Sequence, residues 1–220
     1  MEHQEYEEIA LKVALWHDKY APYIYSATID SYYSGYPYTM TPLHIAFPKD
    51  ENTYNLISRE KKQYQWMLGP SMLATPLFGT DFETTVSRNV YLPEGEWIDH
   101  ETGEKFYGPT TLEAYSLPEN KIPIFIGGKG VVVSKASQKS ENLNVEIFPI
   151  AKAGSQYRYT YIDGETTSKI TNNNNGWNPE TMVITNTTTN EMVVFNYNDT
   201  SGSFKFALTT GNNYELKGGE

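Results

Sequence analysis

Acidic residues in turn-like settings are the first candidates for chemistry in this chain: Asp50, Glu51, Asp81, Glu83, Asp99 and Asp163. Retaining cleavage of a glycoside needs two carboxyl groups facing each other about 5–5.5 Å apart. One of them needs an apolar setting that keeps it protonated. All of these acids stand among hydrophilic turn residues, where a carboxylate is ordinarily solvated, so no catalytic residue is assigned. The histidines offer no base in a recognisable motif. His3 and His17 fall on a predicted surface helix and His100 in a hairpin turn. His44 lies in an apolar run, where it either bonds a backbone carbonyl at the core edge or points into a barrel mouth. Cysteine is absent, which removes thiol catalysis, disulfides and thiolate-ligated zinc and leaves the compartment open.

Metal and phosphate motifs are no better supported. Asn173, Asn175 and Gly176 fall at positions three, five and six of a calcium loop, but Thr171 replaces its first acidic ligand and Met182 its last. Gly127-Gly128-Lys129-Gly130 lacks the spacing and the following Ser or Thr of a phosphate loop and reads as a turn between strands. No metal and no cofactor are expected. Asn186-Thr187-Thr188 and Asn198-Asp199-Thr200 match the glycosylation acceptor pattern, as chance allows in a chain this rich in Asn and Thr.

Of the 220 residues, 39% are hydrophobic and 14% aromatic, enough for a packed core. The 18 tyrosines suit sheet faces and also sugar stacking. A net charge of −10 repels phosphate backbones, so nucleic acid is excluded as a partner. No apolar run reaches the roughly 18 residues of a membrane span. The acidic N-terminus, MEHQEYEEIALK, lacks the pattern of a signal peptide.

The elements that must position these residues follow from periodicity. Ile9, Val13, Trp16, Tyr20 and Ile24 recur at helical spacing, predicting a helix over 4–34 that Pro22 kinks or splits and Gly35 ends. Its tyrosines form either an aromatic face packed on another layer or a sugar platform. The run 39–47 predicts a buried strand, 58–68 a second helix ended by Gly69-Pro70, and 72–78 another strand. Beyond residue 78 the pattern is all-β, with strands near 86–92, 96–99, 105–107, 111–116, 122–126 and 130–134. Pro93-Glu94-Gly95 is predicted as a tight turn between the first two of these. Polar residues 135–142 read as a linker. Further strands follow around Tyr157 to Tyr161, Met182 to Ile184, Met192 to Tyr197 and Phe204 to Leu208.

Several segments, in order, resemble the C-terminal part of glycoside hydrolase family 31, the α-glucosidase and α-xylosidase family. Leu11 to Tyr25 is similar to the helix before that family's last barrel strand, and Gly35-Tyr36-Pro37 through Thr41-Pro42-Leu43 to the strand itself. Thr41 stands where the family commonly has Arg. Tyr64 to Pro76, Ser87 to Phe106 and Lys121 to Gly130 resemble the crossover and the proximal β-domain, and Tyr161 to Thr166 the start of the distal one, with Ile162 in place of an Asp. The resemblance implies an α+β chain. Residues 1–78 would be the end of a (β/α)8 barrel, 79–134 and 143–220 antiparallel β-sandwich-like domains, and 135–142 a linker. It also implies a parent α-glycosidase that works with retention through an Asp nucleophile and an Asp acid/base, neither matched by any segment here. Carbohydrate would then be a partner of the parent enzyme. The exposed barrel remnant, with apolar helix faces around Trp16 and Met67, would favour self-association. The other reading is a non-catalytic carbohydrate-binding or accessory module anchored by Trp97 and Trp177.

Overall fold

The computed structural model describes residues 2–58, 60–61, 63–76, 84–116, 123–138 and 140–218. It holds one long helix, α1 (Glu2–Ser34), a single turn α2 (Leu43–Ala46), and fifteen strands. In chain order these are β1 (Thr41–Pro42), β2 (Trp66–Leu68), β3 (Met72–Ala74), β4 (Ser87–Asp99), β5 (Lys105–Ser116), β6 (Ile124–Ile126), β7 (Val131–Lys135) and β8 (Leu143–Ile147). They continue with β9 (Ser155–Thr160), β10 (Thr167–Asn172), β11 (Val183–Asn186), β12 (Glu191–Met192), β13 (Phe195–Asn198), β14 (Ser203–Leu208) and β15 (Tyr214–Lys217).

Helix α1 runs through Pro22 without splitting. Proline removes one intrahelical donor and crowds the preceding turn. Buried contacts on both sides of it hold the helix together: Tyr20 at 2%, Tyr23 at 0% and Ala27 at 3% exposure, spaced as one helical stripe. The stripe packs on β7 and β9. Asp18 pairs with Lys135 at 2.6 Å and Asp30 with Arg158 at 3.0 Å. The Thr160 N–H donates to Ser26 Oγ at 3.0 Å. Gly35 ends the helix at φ +72, its N–H donating to the Ser31 carbonyl.

Three expectations fail between residues 39 and 99. The run 39–47 is not one buried strand. Only Thr41 and Pro42 find a partner, β2, and Pro42 then caps the turn α2. Backbone groups with no neighbouring strand satisfy themselves by coiling. Among the described residues of 58–68 the predicted helix is absent. Its last residues form β2, and Gly69-Pro70 turns β2 into β3 instead of ending a helix. A side chain on Gly69 would come within 2.5 Å of the Tyr23 ring, so glycine is demanded by the packing as well as by φ +63. Finally, Pro93-Glu94-Gly95 makes no turn. β4 passes through it with a register shift against β5 between Leu92 and Gly95. A residue without an N–H and one without a Cβ are what a bulge accommodates. The turn after Asp99 and the turn at Gly127–Gly130 lie where the sequence places them.

The strands form three sheets. The first is antiparallel, in order β1-β2-β3-β6-β4-β5. It draws strands from both sides of residue 78. The second has the order β12-β11-β15-β10-β9, with β10 and β15 parallel. The third, β13-β14-β8-β7, is antiparallel and takes β7 from before the polar stretch at 135–142. The second and third sheets pack face to face, Phe206 meeting Tyr214 at 5.2 Å between ring centroids.

The central strands of the six-stranded sheet are buried on both faces, while the edge strand β5 is exposed on one. Met72, Ile98, Ile124 and Ile126 join a core shared with α1 and the distal sheets. Their neighbours Leu73, Trp97 and Phe125 point the other way, into a second core with Leu43, Leu56, Val90 and Leu92. Successive side chains on a strand face opposite sides, so a strand buried on both reads as an unbroken apolar run. That accounts for Met72-Leu73-Ala74 and Ile124-Phe125-Ile126.

Candidate functional site

The acids occupy separate places and use separate partners. Asp50 caps a short 3-10 turn, Glu51–Thr53, accepting from the Asn52 backbone and side-chain nitrogens at 3.1 Å. Its other oxygen accepts from the Tyr91 hydroxyl at 2.6 Å. Burial, and then the Asp50 carboxylate, push the Tyr91 phenol up to about 12. The backbone of Tyr91 is held by Gln65, whose side-chain amide both donates to its carbonyl and accepts from its N–H at 2.8 Å. This buried amide takes the place of a strand along the open side of β4. Glu51 is exposed. Asp81 and Glu83 lie outside the described residues.

Asp99 departs from the sequence expectation of a solvated turn acid. It is 4% exposed. It accepts from the backbone N–H groups of Glu101 and Thr102, closing the hairpin turn, and from the Tyr115 hydroxyl. Burial, helped by Asp99, pushes the Tyr115 phenol well up. Asp163 does sit in an exposed turn, where the Thr166 hydroxyl and the N–H groups of Glu165 and Thr166 hold it below the usual carboxylate range.

The remaining candidates separate in the same way. His44 is exposed on α2 near Tyr54, neither at a core edge nor in a mouth. His17 is exposed on α1. His100 is half-buried, with its ring bonded to Tyr20 of α1. Thr41 is buried and donates its hydroxyl to the Pro37 carbonyl at 2.7 Å. Trp97 is 1% exposed, with its indole N–H on the Pro93 carbonyl at 2.8 Å, so it offers no face to a sugar. Trp177 is half-buried, stacked on Phe204. The fate of the tyrosines varies along α1: Tyr20 and Tyr23 pack inside, whereas Tyr32 and Tyr33 are exposed at 84% and 70%. Asn186 and Asn198 each fold their side-chain oxygen back onto backbone N–H groups two and three residues on.

A cleft of about 500 Å³ opens at the β4 bulge, lined among others by Phe47, Glu94, Glu96, Gly128, Ile150 and Lys152. Glu94 and Glu96 flank Gly95 and are both exposed. The sequence reading took this stretch as a turn and so gave these two acids no role. Among the described residues no three His, Asp or Glu side chains gather to hold a metal ion. No helix there is long and apolar enough to cross a membrane.

Comparison with known proteins adds what the geometry does not. Residues 35–132 match the model of the glycosyl hydrolase family 31 C-terminal domain. The chain is 28% identical over 170 residues to alpha-glucosidase 2 of Bacillus thermoamyloliquefaciens, covering 75% of this chain and 20% of that one. It is 30% identical over 153 residues to an alpha-xylosidase of Saccharolobus solfataricus, covering 66% and 19%. It thus spans about a fifth of the length of these curated relatives. The fold is that of a family 31 dextranase from Flavobacterium johnsoniae solved with glucose, with a TM-score of 0.68 at 18% identity, over 93% of this chain and 31% of that one.

Proposed function

We propose, from the match of residues 35–132 to the glycosyl hydrolase family 31 C-terminal domain, that the chain is the C-terminal region of a retaining α-glycosidase. Its role is to brace the catalytic barrel, and it carries no catalytic carboxylate pair of its own. On this reading α1 and residues 35–78 are the end of the barrel. The β-rich remainder divides into a proximal part and a distal part around 135–142. The observation that carries the proposal is the family match itself, which runs from the end of α1 through every strand of the six-stranded sheet into β7. The commitment of Asp50, Asp99 and Asp163 each to its own turn supports the lack of a facing pair. Retaining hydrolysis needs one carboxylate to attack the anomeric carbon and one to protonate the leaving oxygen.

The test is hydrolysis of aryl α-glucoside, α-xyloside and α-galactoside by the pure chain, alongside Asp50→Asn and Asp163→Asn. No turnover above background is expected. Turnover that either substitution abolishes would overturn the proposal. The apolar residues left bare on this reading include Leu11, Val13, Met40, Ile45 and Ile57. They favour self-association, which light scattering would contradict by finding a dilution-stable monomer. Met67, at 6% exposure, is not among them. The accessory-module reading retains Tyr32, Tyr33 and Tyr107 as exposed rings and the half-buried Trp177, but not Trp97. Glucan-affinity electrophoresis of Tyr32→Ala would support it only if retardation by glucan were seen and then lost.

A further inference from the structure

His100 stands where three parts of the molecule meet. It follows β4, and its backbone N–H donates to the Ile124 carbonyl at 2.9 Å, at the start of β6. Its ring reaches α1, with Nε2 3.0 Å from the Tyr20 hydroxyl. The two rings lie edge to face, 5.9 Å apart at 77°. Tyr20 is in turn fixed from its other side, tilted against Trp16 at 4.7 Å with Lys19 Nζ 4.8 Å from its ring centre. The third part is the distal four-stranded sheet, which presents Glu146 of β8 to both residues. Glu146 accepts from the Ser203 hydroxyl at 2.6 Å.

We propose that the His100–Tyr20 contact is an acid-sensitive joint: a neutral imidazole fastens α1 to the end of the β4–β5 hairpin, and protonation of that imidazole loosens the fastening. The charged groups around it work in both directions. Glu146, Asp99 and Glu101 favour a cation at His100, and Lys19 of α1 opposes one. Lys19 is itself disfavoured as a cation, by burial and then by Lys205 of β14. Asp99 has already given its oxygens to Tyr115 and to two backbone N–H groups. Burial is the largest influence on His100, ahead of every charge, and it holds the imidazole below its ordinary range. Burial also raises Tyr20, so the phenol stays protonated wherever His100 titrates. A neutral imidazole can accept the Tyr20 O–H, whereas the cation can only donate to the Tyr20 oxygen, which turns the phenol's own hydrogen away from the contact and leaves a charge where burial disfavours one.

The sign of the effect follows. A histidine depressed on folding binds fewer protons in the native state than in the unfolded one. Its contribution is therefore fully present above the unfolded value of about 6.5 and declines as pH falls through the lower folded value. The joint is fastened at neutral pH and released on acidification.

Three measurements on the full chain test this. Urea midpoints followed by the fluorescence of the four tryptophans, Trp16 beside Tyr20 among them, compare wild type with His100→Gln between pH 7.5 and 5.0. Glutamine keeps a hydrogen-bonding group at the site but takes up no proton. Wild type is expected to lose more of its midpoint on acidification than the variant, and parallel losses would overturn the joint. Should His100→Gln not fold, the imidazole titration of wild type followed by NMR decides. A His100 midpoint below about 6.5 is expected, and one at or above that value refutes the proposal. In Tyr20→Phe the His100 midpoint is expected to move, because the hydroxyl partner is gone while burial remains. An unmoved midpoint would show that the contact does not couple the two residues.

Discussion

The two faces of the six-stranded sheet are built on different principles. The face shared with Leu43, Leu56, Val90 and Leu92 is filled by volume, Leu73, Trp97 and Phe125 interlocking there, and its phenols bond carboxylates, Tyr91 to Asp50 and Tyr115 to Asp99. The face toward α1 is threaded with hydrogen bonds. The Tyr23 hydroxyl donates to the Leu68 carbonyl at 2.9 Å and accepts the Ser71 N–H at 2.8 Å. Ser71 in turn accepts the Val131 N–H on its hydroxyl and the Gly127 N–H on its carbonyl. Apolar packing is non-directional and fixes how tightly layers adhere. Buried hydrogen bonds are directional and fix how they are aligned. The comparison teaches that α1 is placed in register on the sheet by directional bonds as well as by packing.

This contrast can be broken at either face. The largest effect belongs to the apolar one: Trp97→Ala removes a fully buried side chain and is expected to cost about 3–5 kcal/mol in urea denaturation. A loss under about 1 kcal/mol would mean that this core is loosely packed. Next is Gly69→Ala, where the new methyl meets the Tyr23 ring and the backbone is left-handed at φ +63. Overpacking of about 1–3 kcal/mol plus backbone strain is expected, and an unchanged denaturation midpoint would show that α1 can retreat freely. Tyr23→Phe keeps the ring and removes the hydroxyl, leaving the buried Ser71 N–H without its acceptor. It should cost about 1–3 kcal/mol with little change in volume. If hydrogen exchange at the Ser71 amide does not quicken, alignment is not carried by that bond. The smallest effect is Lys135→Met, which removes a half-exposed ion pair to Asp18 and should change stability by less than about 1 kcal/mol, with the difference vanishing in high salt.

Much of the architecture was legible because it rests on local rules. The stripe through Tyr20 gave α1, Gly35 gave its end, and Gly127-Gly128-Lys129-Gly130 gave the turn between β6 and β7. The resemblance, carried by segments such as Ser87 to Phe106, pointed to the family of the domain over 35–132. The acids were legible as turn residues, and Asp50 and Asp163 do cap turns. Their hydroxyl partners, 41 residues away for Asp50 and 16 for Asp99, were not.

What the tertiary structure alone decided shares one physical cause. A Gly-Pro pair ends a helix or turns a hairpin, and a Pro-Glu-Gly stretch makes a turn or a bulge, according to whether a partner strand is present. For β2 and β4 that partner is the following strand, β3 or β5, and the sheet that holds them is joined by β6 from farther along the chain, which pairs with both β3 and β4. Burial of Asp99, covering of Trp97 and the bond of His100 to Tyr20 likewise depend on elements packed from outside their own segment. By itself the sequence determined which residues prefer helix, strand and turn, and which family the segments resemble. Pairing and burial then settled which of two locally acceptable conformations each ambiguous segment took, because the free energy of a ladder partner and a filled core exceeds the small difference between local propensities.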